Sequence, residues 1–143
     1  MLSFILLGCA SVATNTYGEV HNLSNRAFAT QVYLLTNSDE FIGDTVHLQG
    51  LFDIIYDDIT NESHYFAYRY AVGCCTSYEE VFGFKLHLND LDHPPLGSWV
   101  EVYGVLEKMQ EGGRSFFRLN VVSITEMAEQ GIRVVPPLRR PQQ

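Results

Sequence analysis

Cys74 and Cys75 stand side by side in the stretch "GCCT", in a chain of 143 residues with three cysteines and five histidines. Two adjacent thiols suit three kinds of chemistry. They can give two thiolates to a soft or borderline ion, with imidazoles completing the set. They can cycle as a vicinal disulfide. Consecutive α-carbons are about 3.8 Å apart, whereas ordinary disulfides span roughly 4.4–6.8 Å, so such a bond is strained and easily reduced. They can also simply pack. For a metal, zinc or copper(I), the candidate ligands are Cys74, Cys75, His47 and His87, with His64 and His93 nearby in the chain. No C-x-x-C or H-x-x-x-H spacing reinforces the set.

The elements that must position these residues change period along the chain. Asn25 to Asp39 reads as a helix capped by Ser24 or Asn25, with Phe28, Val32 and Leu35 on one face. From Thr45 the period becomes two. "TVHLQGLFDIIYD" sets Val46, Leu48, Phe52, Ile54 and Tyr56 on one face, and Gly50 marks a bulge or sharp bend. "HYFAYRYAVGCC" turns Phe66, Tyr68, Tyr70 and Val72 inward, which sends Arg69 outward with Cys75 and leaves Cys74 in the core. "EVFGFKLHL" turns Phe82, Phe84, Leu86 and Leu88 inward and His87 outward. "NDLDHPPLGS" is a loop, and "SWVEVYGVLEKM" and "SFFRLNVVSITEM" flank the hairpin turn "QEGGR". Tyr65, Trp99 and Tyr103 are read as outward aromatics. The expected fold is mainly β: a five-stranded OB-fold-like Greek-key barrel preceded by a helix, with a β-sandwich fragment as the alternative.

The ends read differently. Residues 1–9, "MLSFILLGC", form an apolar run too short to span a bilayer as a helix. The run suits a signal peptide or membrane segment. Leu6-Leu7-Gly8-Cys9 resembles a bacterial lipobox, with Cys9 as the lipidated residue. Residues 10–24 read as a polar tether, 25–127 as the domain and 128–143 as an extended, mobile tail with Pro and Arg. This organisation points to a membrane-anchored protein of the cell envelope. A net charge of −8, with Arg139–Arg140 as the one basic cluster, argues against nucleic acid as a partner. No nucleophile elbow or phosphate loop is present, and the reading is of a non-enzymatic protein.

From about Leu34 to Met127 the chain resembles a bacterial family of membrane-associated permease subunits, the YcgQ type or DUF1980 family. "NSDEFIGDTVHLQGLF" is similar to that family's "NPEQYxGKxVxVxGFV", "YFAYRYAVGCCTSYEEVFGF" to its "FxVxRFxIxCCxADAxPxGxxV", and "LGSWVEVYGVLEK" to its "xxxWVxVxGxxxK". The family's Asp after the Cys pair falls at Tyr78, next to Glu79, so Arg69, Tyr78 and Glu79 are the binding residues expected around the cysteines. The resemblance implies an envelope protein working beside an integral-membrane permease. Two other readings stay open from the residues themselves: a thiol-redox protein cycling Cys74–Cys75, and a plain interaction module for protein or glycan.

Overall fold

The computed structural model describes residues 18–58, 61–72 and 78–139. Cys9, Cys74 and Cys75 lie outside the described residues. The chain forms β1 (Val20–Asn22), α1 (Phe28–Thr36), a 3-10 turn (Asp39–Phe41), β2 (Thr45–Asp57), β3 (Glu62–Val72), β4 (Glu79–His87), β5 (Trp99–Glu111), β6 (Arg114–Glu126) and β7 (Val134–Val135).

β2 to β6 close on themselves. β2 pairs with β3, β3 with β4, β4 in parallel with β6, β6 with β5, and β5 back with β2. This is the five-stranded barrel expected from the sequence. Closure depends on β2 serving two partners. Thr45–Leu51 pairs with β5, and Leu51–Asp57 pairs with β3. Gly50 stands at the hand-over, where a Cβ would come 2.8 Å from the Tyr68 carbonyl oxygen. Two backbones can approach this closely only where one residue lacks a side chain. The register break of the barrel lies elsewhere, between Tyr103 and Gly104 on the β5–β6 pair.

Phe28, Ala29, Val32 and Leu35 of α1 pack into one core with Val46, Leu48, Phe52, Phe84, Leu86, Val100, Val102 and Leu106. Burying a Phe or Leu side chain fully is worth about 1.5–3 kcal/mol, so this face of a nine-residue helix is what holds it in place. The helix is shorter than the sequence suggests. Ser24 Oγ accepts from Ala27 N–H at 3.2 Å and steadies the turn before it. At the other end Asn37 Nδ2 donates to the Tyr33 carbonyl at 2.7 Å.

Three expectations change. On β3 the alternation runs in the opposite phase: Ala67, Arg69 and Ala71 are buried with the main core, whereas Phe66 and Tyr70 pack in a second cluster with Leu51, Tyr68 and Trp99. Ala67 and Ala71 share one core with the buried face of α1, and Phe66, Tyr68 and Tyr70 lie on the other face of β3 in the second cluster. On β2, Ile54 and Tyr56 are exposed, because past Leu51 the strand pairs only with β3. The ends also carry strands of their own. β1 pairs in parallel with Thr45–His47, and β7 pairs in parallel with Tyr70–Ala71 and buries Val135. Residues 20–22 and 134–135, read as tether and tail, are therefore built into the sheet.

Candidate functional site

β3 and β4 form a hairpin whose last described pair is Val72 with Glu79. In the chain the Cys74–Cys75 pair falls between these two strands, outside the described residues. Tyr78 and Glu79 are exposed at the start of β4, Tyr78 by 75%. Around them Val72, Val81, Ile132 and Val134 are also exposed apolar side chains. Tyr70 is paired with both Val81 and Val134, which draws the three strands β4, β3 and β7 into one surface. This end of the described hairpin is largely apolar, with Glu79, Glu80 and Arg133 as its exposed charges.

Arg69 was expected on the outside beside Cys75. It is instead 2% exposed and is the one buried charged residue among the described residues. Its Nε donates to the Gln49 carbonyl at 2.7 Å, and its Nη1 to Asn25 Oδ1 at 2.6 Å. The guanidinium lies 4.7 Å from the Phe28 ring centre and 5.0 Å from that of Trp99. The cause is the hand-over of β2. Before Leu51 that strand pairs with β5 rather than β3, and Arg69 reaches across the seam to the carbonyl of Gln49. Burial alone holds its pKa below the ordinary arginine value, and arginine keeps its charge under such a shift. Trp99, expected outward, is 4% exposed, and Gly131 packs against its indole. Arg69 is therefore a seam-closing residue three positions before the exposed end of β3 at Val72.

The histidines are dispersed. His47, near the start of β2, stacks on Tyr103 at 4.2 Å between ring centres. Its Nδ1 is 2.8 Å from Asn22 Oδ1 and its Nε2 is 3.1 Å from Glu101 Oε2, so both ring nitrogens are engaged. The hydrogen bond from His47, with a second from Gln49, holds the Glu101 carboxyl below the usual range. His87 is exposed at the last residue of β4, paired with Asn120. It is eight residue steps along β4 from Glu79, about 26 Å at ~3.3 Å per residue. His93 lies against Phe52 and Tyr65, and His64 faces the outer side of β3. Among the described residues no group of three or more His, Cys, Asp or Glu is gathered as for a metal ion.

Sequence reasoning missed the Arg69 stack and the His21–Asp44 contact at 2.7 Å, which ties β1 to the turn before β2. A signal for the first existed. An arginine amid "YFAYRYAV" breaks an apolar run with no nearby acid, which marks either a surface or a buried cation held by carbonyls and rings.

A helix followed by a closed five-stranded barrel with one parallel pair defines an OB-like domain. The family model for the DUF1980 C-terminal domain matches residues 14–131, every element from β1 to β6, and the chain belongs to that family. Comparison with curated proteins and with solved structures finds no match. No helix among the described residues is long and apolar enough to cross a membrane.

Proposed function

We propose that the chain is a non-catalytic binding subunit of the cell envelope. The apolar residues 1–9 anchor it, through Cys9 if lipidated, and the barrel works beside an integral-membrane permease. The Cys74–Cys75 pair is the contact point, holding a zinc or copper(I) ion or meeting the partner directly. One observation carries this reading: the end of the barrel at which β3 stops and β4 starts is rimmed by exposed Val72, Tyr78, Val81 and Val134. Apolar side chains gathered at one end of a small domain favour a protein contact over a solvated loop. The His47 and His87 positions support a metal less well than the cysteines do, since His47 is already bonded on both nitrogens.

The test is photo-cross-linking in cells. A benzoyl-phenylalanine is placed at Tyr78, and in a second strain at Leu91, in the loop beyond the far end of β4. A product with an integral-membrane protein from position 78 and none from position 91 is the expected result. Products from neither position, or equal products from both, would contradict it.

A further inference from the structure

A second surface lies away from the Val72–Glu79 end of the barrel. The β2–β3 hairpin and the β5–β6 hairpin flank a groove of about 620 Å3 on the outer side of β3 and β4. This is the side on which OB barrels carry ligands, between the same two loops. Its floor is open because Gly83 has no side chain. A Cβ there would fall within the Ala67 carbonyl of the neighbouring strand. Phe66, Phe116 and Ile55 supply apolar walls, and Lys85, Arg114 and His64 supply polar groups.

Outside the groove Lys108 pairs with Asp39 at 2.8 Å and Arg118 with Glu107 at 3.0 Å, while Arg26, Arg133 and Arg139 form no ion pair among the described residues. Within it, Lys85 and Arg114 form no ion pair among the described residues, although Glu111 stands opposite Arg114 across the hairpin. Lys85 Nζ is instead held 4.1 Å from the Phe116 ring centre. His64 Nε2 is buried and has no hydrogen-bond partner, and its nearest carboxylate, on Glu62, is 3.8 Å away. A cation over an aromatic ring, a second unpaired cation and an unpartnered imidazole nitrogen form a half-built site for a negative group beside an apolar surface. The rim carries the opposite sign: Asp57 and Asp58 at one hairpin and Glu111 at the other. A polyanion crossing the groove would meet those carboxylates, whereas one negative group seated on the floor would not.

We infer that this groove binds a small amphiphilic anion, one carboxylate or phosphate carried on a flat or flexible apolar body. The volume suits a body of drug size. Lys85 and Arg114 bind the anionic group, His64 adds a hydrogen bond, and Phe66 and Phe116 cover the apolar part. The inference goes beyond the partner contact proposed above and does not depend on the cysteines.

The full chain is titrated with two fluorescent probes of similar shape: anilinonaphthalene sulfonate, which carries a negative group, and N-phenyl-1-naphthylamine, which is neutral. One anionic probe per chain is expected. Lys85→Gln and Arg114→Gln should each weaken it about tenfold, the scale of one hydrogen bond to a charged group, and leave the neutral probe unchanged. Phe116→Ala should weaken both probes, and Arg118→Gln, whose cation is already paired, should weaken neither. Unaltered Trp99 emission and melting temperature show that each variant is folded. Displacement of the anionic probe by decanoate or by decyl phosphate supports the site and distinguishes carboxylate from phosphate. Affinity unchanged in the Lys85→Gln, Arg114→Gln double variant would overturn the inference, as would displacement by a single-stranded oligonucleotide or by neither alkyl anion.

Discussion

Replacing Arg69 separates two explanations of how the barrel seam is held. If positive charge alone matters, Arg69→Lys should be mild. If the forked guanidinium matters, lysine fails, because a point ammonium cannot reach the Gln49 carbonyl and Asn25 together while lying between two rings. The two hydrogen bonds are worth about 1.5–3 kcal/mol each, and the two ring contacts about 0.5–2 kcal/mol each. Desolvating the cation, which has no carboxylate beside it, costs several kcal/mol and offsets much of that sum. Arg69→Met removes both sides of the balance and keeps most of the volume. What remains is the Gln49 carbonyl without its donor, a loss of about 1–3 kcal/mol. Asn25 is exposed and turns to water. Arg69→Ala adds a cavity and a further loss of about 2–4 kcal/mol. Lysine should fall below methionine, since it keeps the desolvation cost without the fork. Urea unfolding followed by the single tryptophan, Trp99, reads all three variants, because its indole lies on the guanidinium. The predicted order of midpoints is wild type, methionine, then lysine and alanine. A lysine variant as stable as wild type, or a methionine variant with an unchanged midpoint, would refute the reasoning.

Other consequences follow from single contacts. Glu101 is held below its ordinary carboxyl value of 4.5 by His47 and then Gln49. The stability it contributes is therefore present above about pH 4.5 and lost as the pH falls through the lowered value; Glu101→Gln should flatten the acid limb of a pH–melting curve. Burial, followed by a hydrogen bond with Tyr70, pushes the Tyr68 hydroxyl up to about 12. Stability should then fall as the pH rises from 10 towards 12, and the ultraviolet phenolate titration should show a late tyrosine that Tyr68→Phe removes. Gly83→Ala forces a Cβ into the backbone of β3 and should cost at least about 2 kcal/mol, seen as a lower melting temperature with an otherwise native circular dichroism spectrum.

The barrel was legible because its strands alternate cleanly where they face one core. Phe84 and Leu86 on β4, and Val100, Val102 and Leu106 on β5, point inward as their spacing requires. Gly50 announced the bend that lets β2 serve two partners. On β3 the aromatic side was mistaken for the inner side. Alternation fixes that two faces exist and leaves their assignment to packing, and here the buried face of α1 joins the core on the side of Ala67 and Ala71. That inversion put Arg69 on the surface, and Trp99, on β5, is separately expected outward, although the two form one buried stack. β1 and β7 are three and two residues long, below the length at which a period can be read. One groove cation left a trace, "GGRSFF", in which Arg114 is followed by two aromatics just after a hairpin turn. What the trace omits is that Lys85, from another strand, is held over Phe116.

The proposed role of Cys74 and Cys75 is tested most directly by native mass spectrometry of the full chain, purified without chelator and measured before and after reduction. The account predicts an added mass of one zinc or copper ion per chain, lost in the Cys74→Ser, Cys75→Ser variant. A bare, reduced chain that takes up neither ion, or a mass two hydrogens light that reduction restores, would contradict the metal reading; the second result would make the pair a vicinal disulfide.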